Sequence, residues 1–259
     1  MASRRSAVPA TDSPTATNLH EVAAGPALME EAPPLPEIVE QGISSLLADV
    51  RANSPSANLE LVERAARFAA HAHSSDLRKS GEPYVMHPIA VAAILARVQL
   101  DGETLAGALL HDVVEDTPVE LSEIEAEFGS RVARLVDGVS KLGRIPWTRD
   151  DDAAGGSREQ AHQAENLRKM FLAMVDDIGV VLIKLGDRLH NMRTLDVMRP
   201  DKQKRIALQT LEIYAPLANR LGIWQFKSEL EDLAFRYINP DAYFALSRGF
   251  EQRAQDSAP

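Results

Sequence analysis

The 259-residue sequence contains no cysteine. That excludes disulfides, thiolate nucleophiles and zinc–thiolate sites, and leaves His, Asp and Glu as the side chains able to hold a metal ion. It does not fix the compartment. No uninterrupted apolar stretch approaches the roughly 20 residues needed to cross a bilayer, so no membrane partner is expected and the chain reads as soluble. Positive charge is also short: 28 Lys and Arg against 38 Asp and Glu leave a net charge of -10. Broad nucleic-acid binding works by neutralising many phosphates with Lys and Arg, so no nucleic-acid partner is expected, and a small polyanion in a local basic pocket is the remaining option. A convincing apolar–polar alternation of the kind strands show is missing too.

What is present fits one globular domain with tails: 45% hydrophobic and 25% charged residues over 259 positions, with length for a sizeable core. Residues 1–36, rich in Ala, Pro, Ser and Thr, read as a disordered tail. Arg4 and Arg5 resemble the start of a signal peptide, but no apolar segment follows them, so the default location is cytoplasmic. Residues 37–250 read as the folded domain and 251–259 as a flexible end. Apolar residues recur at three- and four-residue spacing throughout the domain and predict an all-α helical bundle of about ten to eleven helices. The expected spans are 37–52, 58–73, 88–98, 102–116, 121–128, 130–140, 160–176, 178–197, 201–219, 223–236 and 240–249. Pro88 suits a first helical turn just after His87, Asp101 can cap the helix starting near Gly102, and Gly129 can end the helix holding Phe128. The stretch from about 142 to 158 is the one internal loop, a candidate lid with a plain solvated loop as its equal alternative.

The chemistry concentrates in Leu109–Thr117, where His111, Asp112, Glu115 and Asp116 interrupt an apolar helix face. On one continuous helix His111 and Asp112 lie about 100° apart and Glu115 and Asp116 one turn further on, so ligands and acid/base groups share a wall. A lone His-Asp pair reads equally well as a surface pair or a hydrogen-bonded core histidine. His87 upstream and Asp187 downstream, within the apolar run Val180–Thr194, add to it; the plain alternative for Asp187 is an intrahelical pair with a neighbouring Arg. Two His and two Asp without thiolates favour a hard or borderline ion such as Mn²⁺, Fe²⁺ or Zn²⁺, with positions open to water and a phosphate oxygen. His87, His111-Asp112 and Asp187 follow the H…HD…D pattern of HD phosphohydrolases.

A closer resemblance lies in several motifs that occur in order. Arg78-Lys-Ser-Gly-Glu-Pro-Tyr84, Tyr84-Val-Met-His-Pro88, the HDVVEDT stretch from His111, AENLRKM from Ala164, KLGDRLHNMRT from Lys184 and Glu212-Ile-Tyr-Ala-Pro-Leu217 resemble the hydrolase domain of the Rel/SpoT family, over about residues 58–246. The resemblance implies metal-dependent hydrolysis of the 3′-pyrophosphate of ppGpp and pppGpp to GDP or GTP and pyrophosphate, in stringent-response control. It implies one Mn²⁺ ion held by His87, His111, Asp112 and Asp187, with Glu115 and Asp116 as the acid/base pair in an order left open. It places Arg78, Lys79 and Ser80 beside the guanine base, and Tyr84, Asn191 and Thr194 along the nucleotide site. An Arg guanidinium can stack on a purine, Asn or Ser can bond its edge, and Lys141 is typed to meet a phosphate. A synthetase domain absent from this chain is an expected partner, so the chain is either a truncated bifunctional enzyme or a free-standing hydrolase.

His73 matches a family position outside the metal set, His71 reads as incidental, and His190 stands beside the site without coordinating. Departures from the family pattern are Ser75-Asp76 where Gly-Gln is common, Gly179 for Arg, Gly186 for Ala and Asn219 for His. Asp76 is nearest the implied base pocket, so nucleotide affinity is the property it bears on. Two other readings compete: an HD phosphohydrolase of another nucleotide, and a hydrolase-silent regulatory module that binds nucleotide or a partner protein.

Overall fold

A computed structural model describes residues 33–143 and 177–256. The predicted tail up to residue 32, the helix at 160–176, most of the loop at 142–158 and the last three residues lie outside them. The described residues hold, in chain order, α1 Glu37–Asn53, α2 Leu59–Ala72, α3 Met86–Ala96, α4 Gly102–Leu110, α5 Val113–Asp116, α6 Leu121–Phe128, α7 Ser130–Gly143, α8 Ile178–Arg193, α9 Pro200–Gln209, α10 Ala215–Arg220, α11 Trp224–Ile238 and α12 Pro240–Asp256. Among the described residues the extended pairing consists of a single bridge, Leu77 to Pro83. The fold is all-α.

The core is layered around α3 and α4, the two most apolar helices. Every residue of α4 except Glu103 is buried, and α3 buries eight positions from His87 to Ala96. α4 packs on α2 and α7, α3 packs on α1 and α8, and α8 lies across α7 and α11. The predicted caps form: Asp101 accepts from the Thr104 amide at 3.0 Å, and Gly129 ends α6 with φ +89°, a backbone angle that favours glycine. Close approaches tighten the bundle. A Cβ on Gly102 would stand 2.8 Å from the Asn58 backbone nitrogen. Gly186, which stands where the family pattern has Ala, is where α8 passes α3; a Cβ there would lie 3.1 Å from Leu95, so the glycine lets Asp187 come up beside α3.

Three predicted helices are interrupted. The span 102–116 is not continuous: α4 stops at Leu110, and His111 and Asp112 form a turn before α5. The His111 Nδ1–H donates to the Ala108 carbonyl at 2.8 Å, taking up the acceptor that a continuing helix offers to the amide of Asp112. The span 178–197 ends as α-helix at Arg193 and finishes in a 3₁₀ turn, Leu195–Val197. In 201–219 a π-turn, Thr210–Tyr214, separates α9 from α10. Pro216 lacks an N–H and would crowd the carbonyl four residues back, and a widened turn before it relieves that conflict.

The N-termini of α4, α7 and α8 converge on Arg131. Its guanidinium bonds Asp101 Oδ1 and Glu103 Oε2, both at 2.8 Å, and Asp177 Oδ2 at 3.1 Å. The acids so gathered also cap helices, Asp101 for α4 and Asp177 for α8 through the Gly179 amide. The further course of the same three helices brings His111, Gly143 and Asp187 to the other side of the bundle.

Candidate active site

His87 stands in the first turn of α3, inside the helix rather than just before it, and is 4% exposed. His111 follows α4 and is 1% exposed. One ligand atom from each of His87, His111 and Asp112 lies within 4.8 Å of the others. Asp187 joins from α8: its Oδ1 is 3.3 Å from His87 Nε2, while Asp112 Oδ2 is 3.8 Å from the same nitrogen. The structure therefore gathers all four expected ligands, with Asp187 reached through His87. Its carboxylate is shared with α8 itself, bonded by Lys184 Nζ at 2.8 Å and Asn191 Nδ2 at 2.5 Å. The intrahelical partner of Asp187 is thus a lysine and not the expected alternative, an arginine.

The nitrogens of this cluster suit a cation. Because a carbonyl accepts but cannot donate, the bond to Ala108 puts the His111 proton on Nδ1 and leaves Nε2 with its lone pair. That Nε2 is buried and without a hydrogen-bond partner; Asp112 Oδ1 lies 3.2 Å away but off the hydrogen-bonding direction. A buried lone pair beside a carboxylate is the arrangement a divalent ion completes. His87 Nδ1 lies 2.8 Å from His190 Nδ1. Burial first, then the charges of His87 and Arg78, push the His190 pKa down to about 3. A neutral His190 accepts the His87 Nδ1–H and leaves His87 Nε2 facing the two carboxylates.

The electrostatics of the cluster point the same way. Burial works against the charged form of His111, but Asp112 and then Asp187 outweigh it and raise its pKa to about 9, so a second proton and a divalent ion compete for the Nε2 lone pair. Burial likewise opposes ionisation of Asp112 and Asp187, yet the neighbouring His111 at Asp112 and Lys184 at Asp187 hold both well below the usual carboxylate range. The pocket wants positive charge. The C-terminal end of α4, negative by its dipole, adds to that preference.

Glu115 and Asp116 are exposed on α5 at the mouth of this cluster. The Tyr84 hydroxyl stands between Asp112 Oδ2 at 2.8 Å and Asp116 Oδ2 at 2.9 Å. Tyr84, expected along the nucleotide, links the carboxylate of Asp112 to that of Asp116. Burial and then the charge of Asp112 raise its pKa, so the phenol stays neutral. Arg78, Lys79 and Ser80 occupy the loop closed by the Leu77–Pro83 bridge, with Gly81 at φ +87°. The loop leans on the segment that follows α8, since Lys79 Nζ is 3.8 Å from Met198 Sδ, and the charge of Arg78 is felt at His190 on α8. Ser80 Oγ donates to Glu82, and Thr194 Oγ1 donates to the His190 carbonyl. Lys141 is not brought into the cluster: its side chain is 72% exposed and paired with Asp137 one turn back.

Sequence reasoning missed three contributors. Lys184, within the KLGDRLHNMRT motif but given no role, is a half-buried cation of the site; its position three residues before Asp187 in an apolar helix is the signal that marks it. The His190–His87 bond and the carboxylate bridge through Tyr84 depend on how helices far apart in sequence meet, and carry no local signal.

A family model described as HD domain matches residues 65–224. The chain is 55% identical over 188 residues to a guanosine-3′,5′-bis(diphosphate) 3′-pyrophosphohydrolase of Vibrio cholerae, a match covering 73% of this chain and 25% of that protein. It is 53% identical over 189 residues to the bifunctional (p)ppGpp synthase/hydrolase SpoT of Escherichia coli, covering 73% and 26%. It is 49% identical over 202 residues to a GTP pyrophosphokinase of Myxococcus xanthus, covering 78% and 26%. The chain thus spans about a quarter of the length of these curated relatives. No helix among the described residues is long and apolar enough to cross a membrane.

Proposed function

The chain belongs to the HD-domain family, among its Rel/SpoT members, and from that premise we propose that it hydrolyses the 3′-pyrophosphate of guanosine alarmones with one Mn²⁺ ion. In this reading ppGpp or pppGpp and water give GDP or GTP and pyrophosphate, residues 37–250 form the hydrolase domain, and a synthetase domain is its partner. The observation that carries the proposal is the buried, partnerless Nε2 of His111, set beside His87 and Asp112 in one cluster.

His87, His111, Asp112 and Asp187 hold the ion, and His190 and Ala108 fix the ring tautomers that leave both Nε2 atoms free to do so. A divalent ion bound there supplies Lewis-acid charge to the phosphate and lowers the pKa of water. The remaining work falls to the chain's own groups. A water oxygen bonds to the phosphorus carried on the ribose 3′ oxygen, and the bond from that phosphorus to the 3′ oxygen breaks. Glu115 and Asp116, exposed at the mouth, serve as the two proton carriers: one accepts the proton of the attacking water, the other returns a proton to the departing 3′ oxygen. Tyr84 holds Asp112 and Asp116 at a fixed separation. Arg78, Lys79 and Ser80 hold the guanine, and Asn191 and Thr194 line the nucleotide beside them. Lys141 swings from Asp137 to a phosphate, a motion its exposure permits.

Incubating the protein with ppGpp and Mn²⁺ and separating the products tests this. GDP and pyrophosphate in equal amounts, with Glu115→Gln binding Mn²⁺ normally but turning over at least about a hundredfold more slowly, is the expected result. Recovery of bound but intact ppGpp would leave the regulatory reading instead. Normal turnover by Glu115→Gln would remove Glu115 from the proton-carrying pair.

A further inference from the structure

The loop that carries Arg78, Lys79 and Ser80 is anchored at its base by Asp76, one of the positions that departs from the Rel/SpoT pattern. The Asp76 carbonyl accepts the Tyr84 amide at 2.9 Å, closing the loop, and the Asp76 amide donates to the His73 carbonyl at 3.0 Å. The Asp76 side chain does not reach forward into the site. Its Oδ2 turns back and meets His73 Nδ1 at 3.0 Å. His73, at the C-terminal end of α2, is 2% exposed.

The His73 ring is not placed there to complete its own hydrogen bonds. A carboxylate acceptor puts the ring proton on Nδ1, so Nε2 keeps a lone pair, and that atom is buried without a partner. A buried unsatisfied nitrogen is a cost that packing alone does not explain. The ring's other contact is with Tyr84: their centroids are 4.6 Å apart at 33°. Tyr84 in turn sets its edge against His87, with centroids 6.2 Å apart, and its hydroxyl on Asp112 and Asp116.

We propose that Asp76 and His73 form a positioning pair that fixes the Arg78–Ser80 loop and the Tyr84 ring over the site, so that Asp76 sets nucleotide affinity through His73 instead of by touching the base. An acceptor at residue 76 holds His73 in one tautomer and one orientation, and the flat face of His73 then sets the tilt of Tyr84. The kinetic part of this inference rests on the hydrolase reading above; the loop-anchoring part does not.

Two variants separate the acceptor from the charge. Asp76→Leu removes both, whereas Asp76→Asn keeps an oxygen that accepts from Nδ1–H. Asp76→Leu is expected to raise KM for ppGpp about tenfold with kcat within about threefold, as befits loss of one partly exposed charged hydrogen bond. Amide hydrogen exchange at Arg78 and Tyr84, whose N–H groups close the loop, is expected to quicken in the same variant. Mn²⁺ affinity measured by calorimetry stays as in the unmodified protein, and Asp76→Asn restores both KM and exchange. Unchanged KM and exchange in Asp76→Leu would overturn the proposal, as would Asp76→Asn behaving like Asp76→Leu. Faster exchange with unchanged KM would reduce the pair to a structural link and overturn its positioning role. Should the unmodified chain fail to hydrolyse ppGpp, the hydrolase reading falls, and the exchange measurement still decides whether Asp76 and His73 hold the loop.

Discussion

α4, α7 and α8 begin at a charge cluster and lead to another, and the two clusters are built in opposite ways. At the Arg131 end the carboxylates of Asp101, Glu103 and Asp177 surround one guanidinium, and their side chains are 52%, 45% and 22% exposed. Asp101 and Asp177 also accept helix-start amides, so water, cation and helix dipoles all offset their charge. At the other end His87, His111, Asp112 and Asp187 are largely buried, and the Nε2 of His111 has nothing to bond. Lys184 is a half-buried cation there. A cluster that completes its own hydrogen bonds holds helices together; one that leaves a buried nitrogen incomplete beside carboxylates is shaped for a group from outside the chain.

Substitutions at the two ends should therefore fail differently. The largest effect is expected from Asp112→Ala, which removes a carboxylate from the incomplete cluster: Mn²⁺ affinity measured by calorimetry falls more than about a hundredfold, while the melting temperature stays the same or rises. A large loss of stability would make Asp112 part of the scaffold and erase the contrast. Next comes His190→Leu, which leaves the His87 Nδ1–H without an acceptor and releases its tautomer. Mn²⁺ affinity should fall about 10- to 100-fold, and His190→Gln, which can still offer an oxygen, should recover much of it. Equal weakening in both variants would argue against the tautomer account.

The sequence made the scaffold more legible than the site. The helix starts at Glu37, Gly102 and Leu121 follow from caps and periodicity, and those signals are local, as are Asp101 and Gly129. The residues of the His/Asp cluster were legible too, because His111-Asp112 and Asp187 are polar intrusions in apolar segments. The break after Leu110 was not, since it arises from a side chain bonding its own backbone at Ala108, which residue periodicity does not report. The His190–His87 bond comes from packing α8 against α3, the Tyr84 bridge joins the start of α3 to the turn after α4, and the Arg131 clamp joins residues 28 to 46 positions apart. Asp76 is the instructive case: its nearness to the implied base pocket tied it to nucleotide affinity, and the structure turns its side chain back toward His73.

At the Arg131 end the expected effects are smaller and fall on stability alone. Arg131→Met should cost about 1–2 kcal/mol, a value tempered by the exposure of all partners, read as a drop of a few degrees in melting temperature. Its kcat with ppGpp and its Mn²⁺ affinity should match the unmodified protein, and a change in either would couple the two ends. The smallest effect is in acid. Burial alone would raise the Asp101 pKa, but the bond from Arg131 and those from Thr104 leave it below its ordinary 3.8. A carboxylate with a depressed folded-state pKa contributes stability that is complete above its unfolded pKa and fades as pH falls through the folded one. The unmodified protein should thus lose stability more steeply below about pH 4 than Arg131→Met, and parallel acid unfolding curves would show that the clamp contributes nothing through Asp101.

The central claim is that the incomplete end holds a single divalent ion. Crystals grown with Mn²⁺ and measured at the manganese absorption edge test it directly. One anomalous peak within bonding distance of His87 Nε2, His111 Nε2 and the carboxylates of Asp112 and Asp187 is the predicted result. A peak elsewhere, or none at saturating Mn²⁺, would contradict it.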